Sequence, residues 1–454
     1  MKQPPHKFAI ECTACHRTIG NFMLWFEYGQ QCPDCSSNQA EVVYDREFSE
    51  SAELFSQAPF PRRGMWRYFD FLPLNDSKNI ITSLEGQIPI DRWSFLEELA
   101  RVKFNTNCQV YAHRQDNNFA TGTFKDLAGS MVASILKENG ITAYVVASTG
   151  NIGVAYARYT SEANITLYAF IPENSSIAQE AEIGCFGQKV FRVKGDYTDA
   201  KDLAQQFAKA NNLLLAAGNF DPMRIEAKKT MVYDWLRLMP TFPTVYIQAL
   251  SGGTGPLGIA KACKELESLN LFDRMPRFLL VQSDRCSPMA DAWKEAKAQG
   301  FPAGWEESYP VYHNPVTSIA TLATGNPKTY PVVSKLVRKS SGEILSFPEA
   351  QVDTVARFVA YESAVRIGPA AAIAVGGFLK SLKAGYIQEN DIVLVNIGEG
   401  MRRAPDFMKQ LAHTTSEVQG LVECELFDRN NYGTRLWESV EKIAWSDILA
   451  PLES

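Results

Sequence analysis

From about residue 100 onward the chain alternates short runs rich in β-branched and aromatic residues with longer runs of helical periodicity. "AYVVAS" precedes "GVAYARYTSE", "ITLYAFIP" precedes "IAQEAEIGC", and "KVFRVKG" precedes "YTDAKDLAQQFAKA". "TVYIQAL" then leads into "GPLGIAKACKEL", and "DIVLVNIG" closes the series. Strands joined through helices pair in parallel, and a parallel sheet needs helices on both faces. The expected class is therefore α/β. At 454 residues the chain is too long for one compact core, so two or three domains are expected. The sequence divides into a segment over 1–45, a larger domain built from 46–140 and 230–405, a smaller domain over 141–229, and a C-terminal extension over 406–454.

Residues 1–45 stand apart. "CTAC", sixteen residues, then "CPDC" sets Cys12, Cys15, Cys32 and Cys35 in two paired knuckles. Four thiolates at this spacing suit tetrahedral zinc, and a segment too small for its own core would draw folding energy from the metal. A metal-free ribbon folded against the main body is the alternative, and His16 beside Cys15 reads as a bystander. The other five cysteines are scattered, which fits reduced thiols rather than a disulfide framework. A net charge of −6 without a long basic run argues against nucleic acid or an acidic membrane as partner. The first residues lack the apolar core of a signal peptide, and runs such as "PAAAIAVGGFL" are too short to span a bilayer. A cytoplasmic location is the expectation. Five histidines leave few candidates for a histidine-centred triad.

Ligands of parallel α/β sheets bind where strands end and helices begin. Three such loops are unusual here. "ASTGNIG" offers Ser148, Thr149, Gly150 and Asn151 at a helix N-terminus, a setting for a carboxylate, although the same residue types also cap helices. "SGGTGPLG" offers Gly252, Gly253, Thr254 and Gly255, whose backbone N–H groups can converge on a phosphate. "NIGEG" follows a buried strand. A lysine, Lys125, opens a helix directly after the turn "TGTF". An amine for an aldehyde, an anion site for a phosphate and a polar loop together point to pyridoxal phosphate.

The order of "TSLEGQIPI", "TGTFKD", "ASTGN", "DPMRIEAKKT" and the glycine-rich loop resembles the threonine synthase branch of fold type II pyridoxal-phosphate enzymes, from the knuckles to about residue 405. "KGDYTDA", "YIQALSGGTG", "SPMADAW" and "VLVNIGEG" are similar to cysteate synthase within it. The resemblance implies the tryptophan synthase β-like architecture of two parallel-sheet domains. It implies that Lys125 bonds the cofactor aldehyde and then serves as base at the substrate Cα. Asn151 would bond the cofactor's ring hydroxyl, and Ser148 and Thr149, with Asn151, the substrate carboxylate. Gly252, Gly253, Thr254 and Gly255 would hold its phosphate. The implied reaction is elimination and replacement on an O-phospho or otherwise activated amino acid through an aminoacrylate-type intermediate. In its cysteate-synthase-like form, phosphoserine and sulfite give cysteate and phosphate. Threonine formation from phosphohomoserine is the alternative, and a non-catalytic zinc-ribbon interaction protein a further one. The partners are an amino-acid substrate and a small nucleophile, and the family's usual state is a homodimer.

Two departures from the family pattern bear on the substrate. Where members often place Ser or Thr near the pyridine nitrogen, this chain has Asn396, Ile397 and then Glu399. Asn396 would be a neutral partner; Glu399, if it reached the ring, would change the chemistry. The segment before the lysine reads "HRQDNNFATGTFKD", and Leu127 stands where Arg is usual. Arg114, Arg402, Arg403 and His113 lie beside these loops, with Arg114 the candidate for substrate binding and solvated surface arginines the plainer reading.

Overall fold

Two parallel sheets form where the β-branched runs fall. The computed structural model describes residues 7–44, 63–148, 150–173, 175–271 and 274–446. The strands are β1 Phe8–Cys12, β2 Ala40–Tyr44, β3 Ile90–Arg92, β4 Gln109–His113, β5 Ala143–Ala147, β6 Thr166–Pro172, β7 Lys189–Val193, β8 Leu214–Leu215, β9 Val245–Ala249, β10 Arg277–Ser283, β11 Glu343–Phe347 and β12 Ile392–Asn396. The larger sheet has the order β11-β10-β9-β12-β4-β3, and every pairing is parallel except that of β3 with β4. The smaller, fully parallel sheet has the order β7-β6-β5-β8.

The central strand β12 shows why. Val393, Leu394 and Val395 are all fully buried, with Leu394 paired to Tyr111 on one side and Tyr246 on the other. A strand apolar on both faces is stable only between helix layers. The helices that matter for the site are α1 Lys125–Glu138, α2 Asn151–Glu162, α3 Ile177–Cys185, α4 Pro222–Leu238, α5 Thr254–Ser268 and α6 Pro369–Lys383. α1 packs on α2 and α4, and α4 on α5, so these helices connect the two sheets. α4 and α5 approach closely because Gly258 has no side chain: a Cβ there would lie 2.5 Å from the Lys228 Cβ.

The N-terminal segment has no core of its own. β1 and β2 pair antiparallel, and Ile10, Phe22, Trp25 and Val42 join the main hydrophobic cluster. Polar contacts fix the dock, because Lys261 on α5 donates to the Val42 carbonyl at 2.6 Å and the Tyr44 hydroxyl bonds Glu226 on α4. At the other end, the helix Arg429–Ser446 seats Leu436, Val440 and Ile443 in the second hydrophobic cluster. The Trp437 indole donates to Glu362 at 2.7 Å. Among the described residues, no helix is long and apolar enough to cross a membrane.

Candidate active site

The carboxyl ends of the parallel strands in both sheets carry the loops singled out in the sequence. In the larger sheet the chain runs from β9 outward to β10 and β11, and returns on the other side as β12 beside β4. A reversal of this kind opens a crevice beyond the strand ends. The loops after β9 and β12 border it.

Lys125 is the first residue of α1, and a buried polar turn sets its position. The Lys125 N–H donates to Thr123 Oγ1 at 3.1 Å, and Asp126 accepts from the Thr121 N–H at 2.9 Å and hydroxyl at 2.6 Å. Burial, with the Arg224 charge nearby, brings the Lys125 amine down to about 7 against the opposing pull of Glu399. A lysine so tuned carries a free, nucleophilic amine near neutral pH. The Lys125 Nζ lies 4.3 Å from the centroid of the Phe124 ring.

Across the crevice, α5 begins at Thr254 after Gly253, whose φ of +81° lies in the left-handed region. The loop's glycines leave no free space for a Cβ. A Cβ on Gly252 would sit 2.0 Å from Asn219 Nδ2, and one on Gly255 would sit 2.5 Å from Gln248. Thr254 donates to the Asn219 carbonyl at 3.2 Å, and Thr329 donates to the Gly252 carbonyl at 2.9 Å. The result is a fixed backbone cradle at a helix N-terminus, which suits a phosphate.

Asn151 begins α2, with its Nδ2 donating to Glu399 at 2.7 Å and its Oδ1 accepting from Arg403 at 3.3 Å. Glu399 also accepts from the Ala370 N–H of α6 at 2.9 Å, and burial raises its carboxyl above the usual range. Both Glu399 oxygens are thus committed to Asn151 and α6. At the end of β12, Asn396 is buried and both atoms of its amide lack a partner. Unpaired buried amides are costly, and this one is free to bond a ligand group. An unpaired buried amide, a lysine amine and a glycine-rich helix N-terminus lie at the ends of these strands. The residues present fit pyridoxal phosphate.

Not every expected residue is free to serve. Ser148 is buried, and its hydroxyl accepts from the Gly150 and Gly153 N–H groups at 3.1 and 3.0 Å, so it caps its own loop. Thr149 lies outside the described residues. Arg114, expected to meet substrate, is held instead by Asp91 at 2.7 Å and Asp116 at 2.8 Å, because "RQDNN" supplies a carboxylate two residues away. Arg402 donates to the Asn118 and Phe119 carbonyls at 2.9 Å each. Arg403 does reach the site, bonding Asn151 and Glu182 of α3. His113 is enclosed between Trp235 and Gln115, and burial lowers its pKa to about 3, so it stays neutral.

Sequence reasoning assigned no role to Arg224 and Lys228. Both are buried on α4, inside the quoted run "DPMRIEAKKT", and Arg224 donates to the Gly218 carbonyl at 2.6 Å. Their signal was position: two cations one turn apart, just after the proline that starts a helix.

Away from the crevice, the sulfurs of Cys12, Cys15, Cys32 and Cys35 all lie within 4.8 Å of one another and can hold a metal ion. His16 bonds Glu11 at 3.1 Å.

The profile of the pyridoxal-phosphate dependent enzyme family matches residues 81–398. The chain is 27% identical over 391 residues to a threonine synthase of Methanocaldococcus jannaschii, covering 85% of this chain and 91% of that one. It is 26% identical over 414 residues to a cysteate synthase of Methanosarcina mazei, covering 87% and 93%. Among solved structures, a diaminopropionate ammonia lyase from Escherichia coli superposes with a TM-score of 0.59 at 15% identity, over 82% of this chain and 93% of that one.

Proposed function

Because the chain belongs to the pyridoxal-phosphate dependent enzyme family, whose profile spans most of it, we propose that the crevice carries out elimination and replacement on an activated amino acid, with phosphoserine and sulfite as its reactants. The enzyme class and the chemistry of an activated amino acid follow from the relatives; the particular pair of reactants is our reading. The observation that carries it is the meeting of a near-neutral lysine amine, an unpartnered Asn396 amide and a glycine cradle at one set of strand ends.

Pyridoxal phosphate, when bound, supplies an electron-withdrawing ring that acidifies the substrate Cα–H. The protein does the rest. Lys125 would provide the amine that holds the aldehyde and the base that takes the Cα proton at its Nζ. The cradle of Gly252, Gly253, Thr254 and Gly255 would hold the phosphate by backbone N–H groups. Asn396 would hold the ring nitrogen with a neutral amide. A neutral partner leaves that nitrogen largely unprotonated, which favours loss of a leaving group over transamination. Glu399 is turned toward Asn151 and does not replace it. Asn151 then has one amide hydrogen left for the ring hydroxyl or the substrate carboxylate.

The resemblance to threonine synthases, slightly higher in identity and slightly smaller in the share of chain covered, supports phosphohomoserine as the second reading. Incubation with each phosphorylated amino acid, with and without sulfite, separates them. Phosphate release from phosphoserine that yields cysteate only with sulfite is expected. Release that requires phosphohomoserine and ignores phosphoserine rejects the reading. The four-cysteine knuckle is proposed to hold a structural zinc, supported by four converging sulfurs in a segment with no core of its own. The protein is further proposed to act as a homodimer in the cytoplasm.

A further inference from the structure

α3 packs against the first turn of α2, and two glycines there let it approach. A Cβ on Gly153 would lie 3.4 Å from the Ile183 Cδ1, and one on Gly150 would lie 2.6 and 2.7 Å from the Oε1 and Nε2 of Gln179. Ile183 fills its place with an apolar side chain. Gln179, one turn earlier on the same face, brings an amide to an equally enclosed place. It is only 6% exposed, its Oε1 is unpaired, and among the described residues nothing bonds its Nε2. An apolar side chain would pack there without the cost of an unsatisfied amide.

The loop that Gln179 faces is short of side-chain donors. The Ser148 hydroxyl accepts from the Gly150 and Gly153 N–H groups and gives its own hydrogen to the Gly150 carbonyl at 3.2 Å. Asn151 has already given one amide hydrogen to Glu399. The Asn151 and Ile152 N–H groups that open α2 have no acceptor among the described residues, as at any uncapped helix start. Such a start favours an anion. Arg403, the cation beside it, is shared between Asn151 and Glu182.

We propose that Gln179 is a substrate-binding residue, whose amide donates to the α-carboxylate of the amino acid held at the start of α2. It takes the part that Ser148 cannot play, because Ser148 is spent on its own turn. The inference rests on the proposed function in taking the substrate to be an amino acid. Neutral donors suit this place: hydrogen bonds from N–H groups to a carboxylate are charge-assisted and leave no second buried charge to compensate. They also make the site selective. A ligand of the same shape without the carboxylate leaves the Gln179 amide unpaired, so α-amino acids are preferred to the corresponding amines.

The test is calorimetric titration of the full-length protein loaded with pyridoxal phosphate, with L-serine and its decarboxylated counterpart ethanolamine as probes. Wild-type protein should prefer L-serine. In Gln179→Leu the affinity for L-serine should fall about tenfold, the equivalent of one hydrogen bond to a charged group, while that for ethanolamine stays within about two-fold. Gln179→Glu keeps the volume and sets a carboxylate against a carboxylate, so L-serine should weaken by about thirtyfold or more and ethanolamine should not. A purely structural role would lower Tm and weaken both probes alike. That outcome overturns the proposal, as does a Gln179→Leu protein with the wild-type preference, or a wild type with no preference. Uptake of pyridoxal phosphate, followed by its visible absorbance, tests the functional reading by itself. Wild-type protein that takes up none loses that reading; protein that takes it up and binds both probes as its variants do loses only the role of Gln179.

Discussion

Lys228 and Lys229 are adjacent in sequence, lie on one helix and are both fully buried, yet their surroundings are opposite. Lys229 meets Glu226 at 2.6 Å and Glu265 at 3.0 Å, and lies 4.1 Å from the Tyr44 ring centroid. Lys261 adds a second cation to the same two carboxylates, at 3.4 and 3.3 Å. Lys228, a helical step of roughly 100° away, meets a carbonyl, an aromatic ring and two further cations. A buried charge that is fully paired holds elements together; here it joins the N-terminal segment to α4 and α5. A buried amine without a counter-ion stays neutral and serves as a hydrogen-bond donor rather than as a charge. One helix thus has a structural face and a face toward the chemistry.

The largest expected effect lies on the unpaired side. Lys125→Ala should lower turnover by at least about a thousandfold, since it removes both the anchor and the base. Its far-UV circular dichroism should stay at the wild-type level. Near-normal turnover in a steady-state assay would break the assignment. The pH dependence has a definite sign: the amine must be unprotonated to react, so covalent capture of pyridoxal phosphate should rise as pH passes upward through about 7. Absorbance titration with the added cofactor measures it, and capture that falls over that range contradicts the free-amine role. On the paired side, Lys229→Ala leaves Glu226 and Glu265 with one cation between them. A destabilisation of about 3–5 kcal/mol is expected from denaturant unfolding. A loss below about 1 kcal/mol would mean that Lys261 alone suffices and that the two lysines differ less than their contacts indicate.

How far the sequence reveals such differences depends on the reach of the interaction. β5, β6, β7, β9 and β12 were legible because each is a β-branched run followed by a helix. β10 and β11 were not singled out, although "RFLLVQS" and "EILSF" lie in the same sheet, because a short apolar run without a following loop motif has no distinguishing period. β3 and β8, of three and two residues, have too little sequence to read. At the site, Lys125 and the glycine loop could be read since their chemistry is local. The partnering of Arg114 with Asp91, and of Arg403 with Glu182, depends on pairs up to 221 residues apart and follows only from the fold. Lys228 was hidden for a further reason: a lysine in a helix is expected on a solvated face, and nothing within "EAKKT" says which of two lysines turns inward without a partner.

The N-terminal knuckle extends the comparison of paired with unpaired groups to a whole segment. Its polar contacts with the body include Tyr44 with Glu226, the Val42 carbonyl with Lys261, Gln30 with the Leu215 carbonyl and Lys7 with the Phe69 carbonyl, none of them to a residue singled out at the crevice. Removing a bound metal by chelation, or substituting Cys35→Ser, should lower Tm by several degrees, as expected where metal binding supplies folding energy. Turnover at low temperature should change less than two-fold. An unchanged Tm after chelation counts against the metal, and equal losses of Tm and turnover would mean the paired cluster is not insulated from the site.

The smallest effect is expected at Asn396. Its amide is buried without partners, so replacing it removes polar atoms that nothing in the protein itself satisfies. Asn396→Leu should therefore leave the apoprotein about as stable as wild type, because an unsatisfied buried amide is exchanged for a bulkier side chain of the same branching and heavy-atom count that needs no partner. The holoenzyme should behave in the opposite way, with the affinity for pyridoxal phosphate falling by roughly tenfold, the equivalent of about one hydrogen bond to a ligand atom. Thermal unfolding with and without the cofactor measures both quantities on one sample. A variant destabilised equally in both states would show that the amide serves the fold, and would place Asn396 with Lys229 rather than with Lys228.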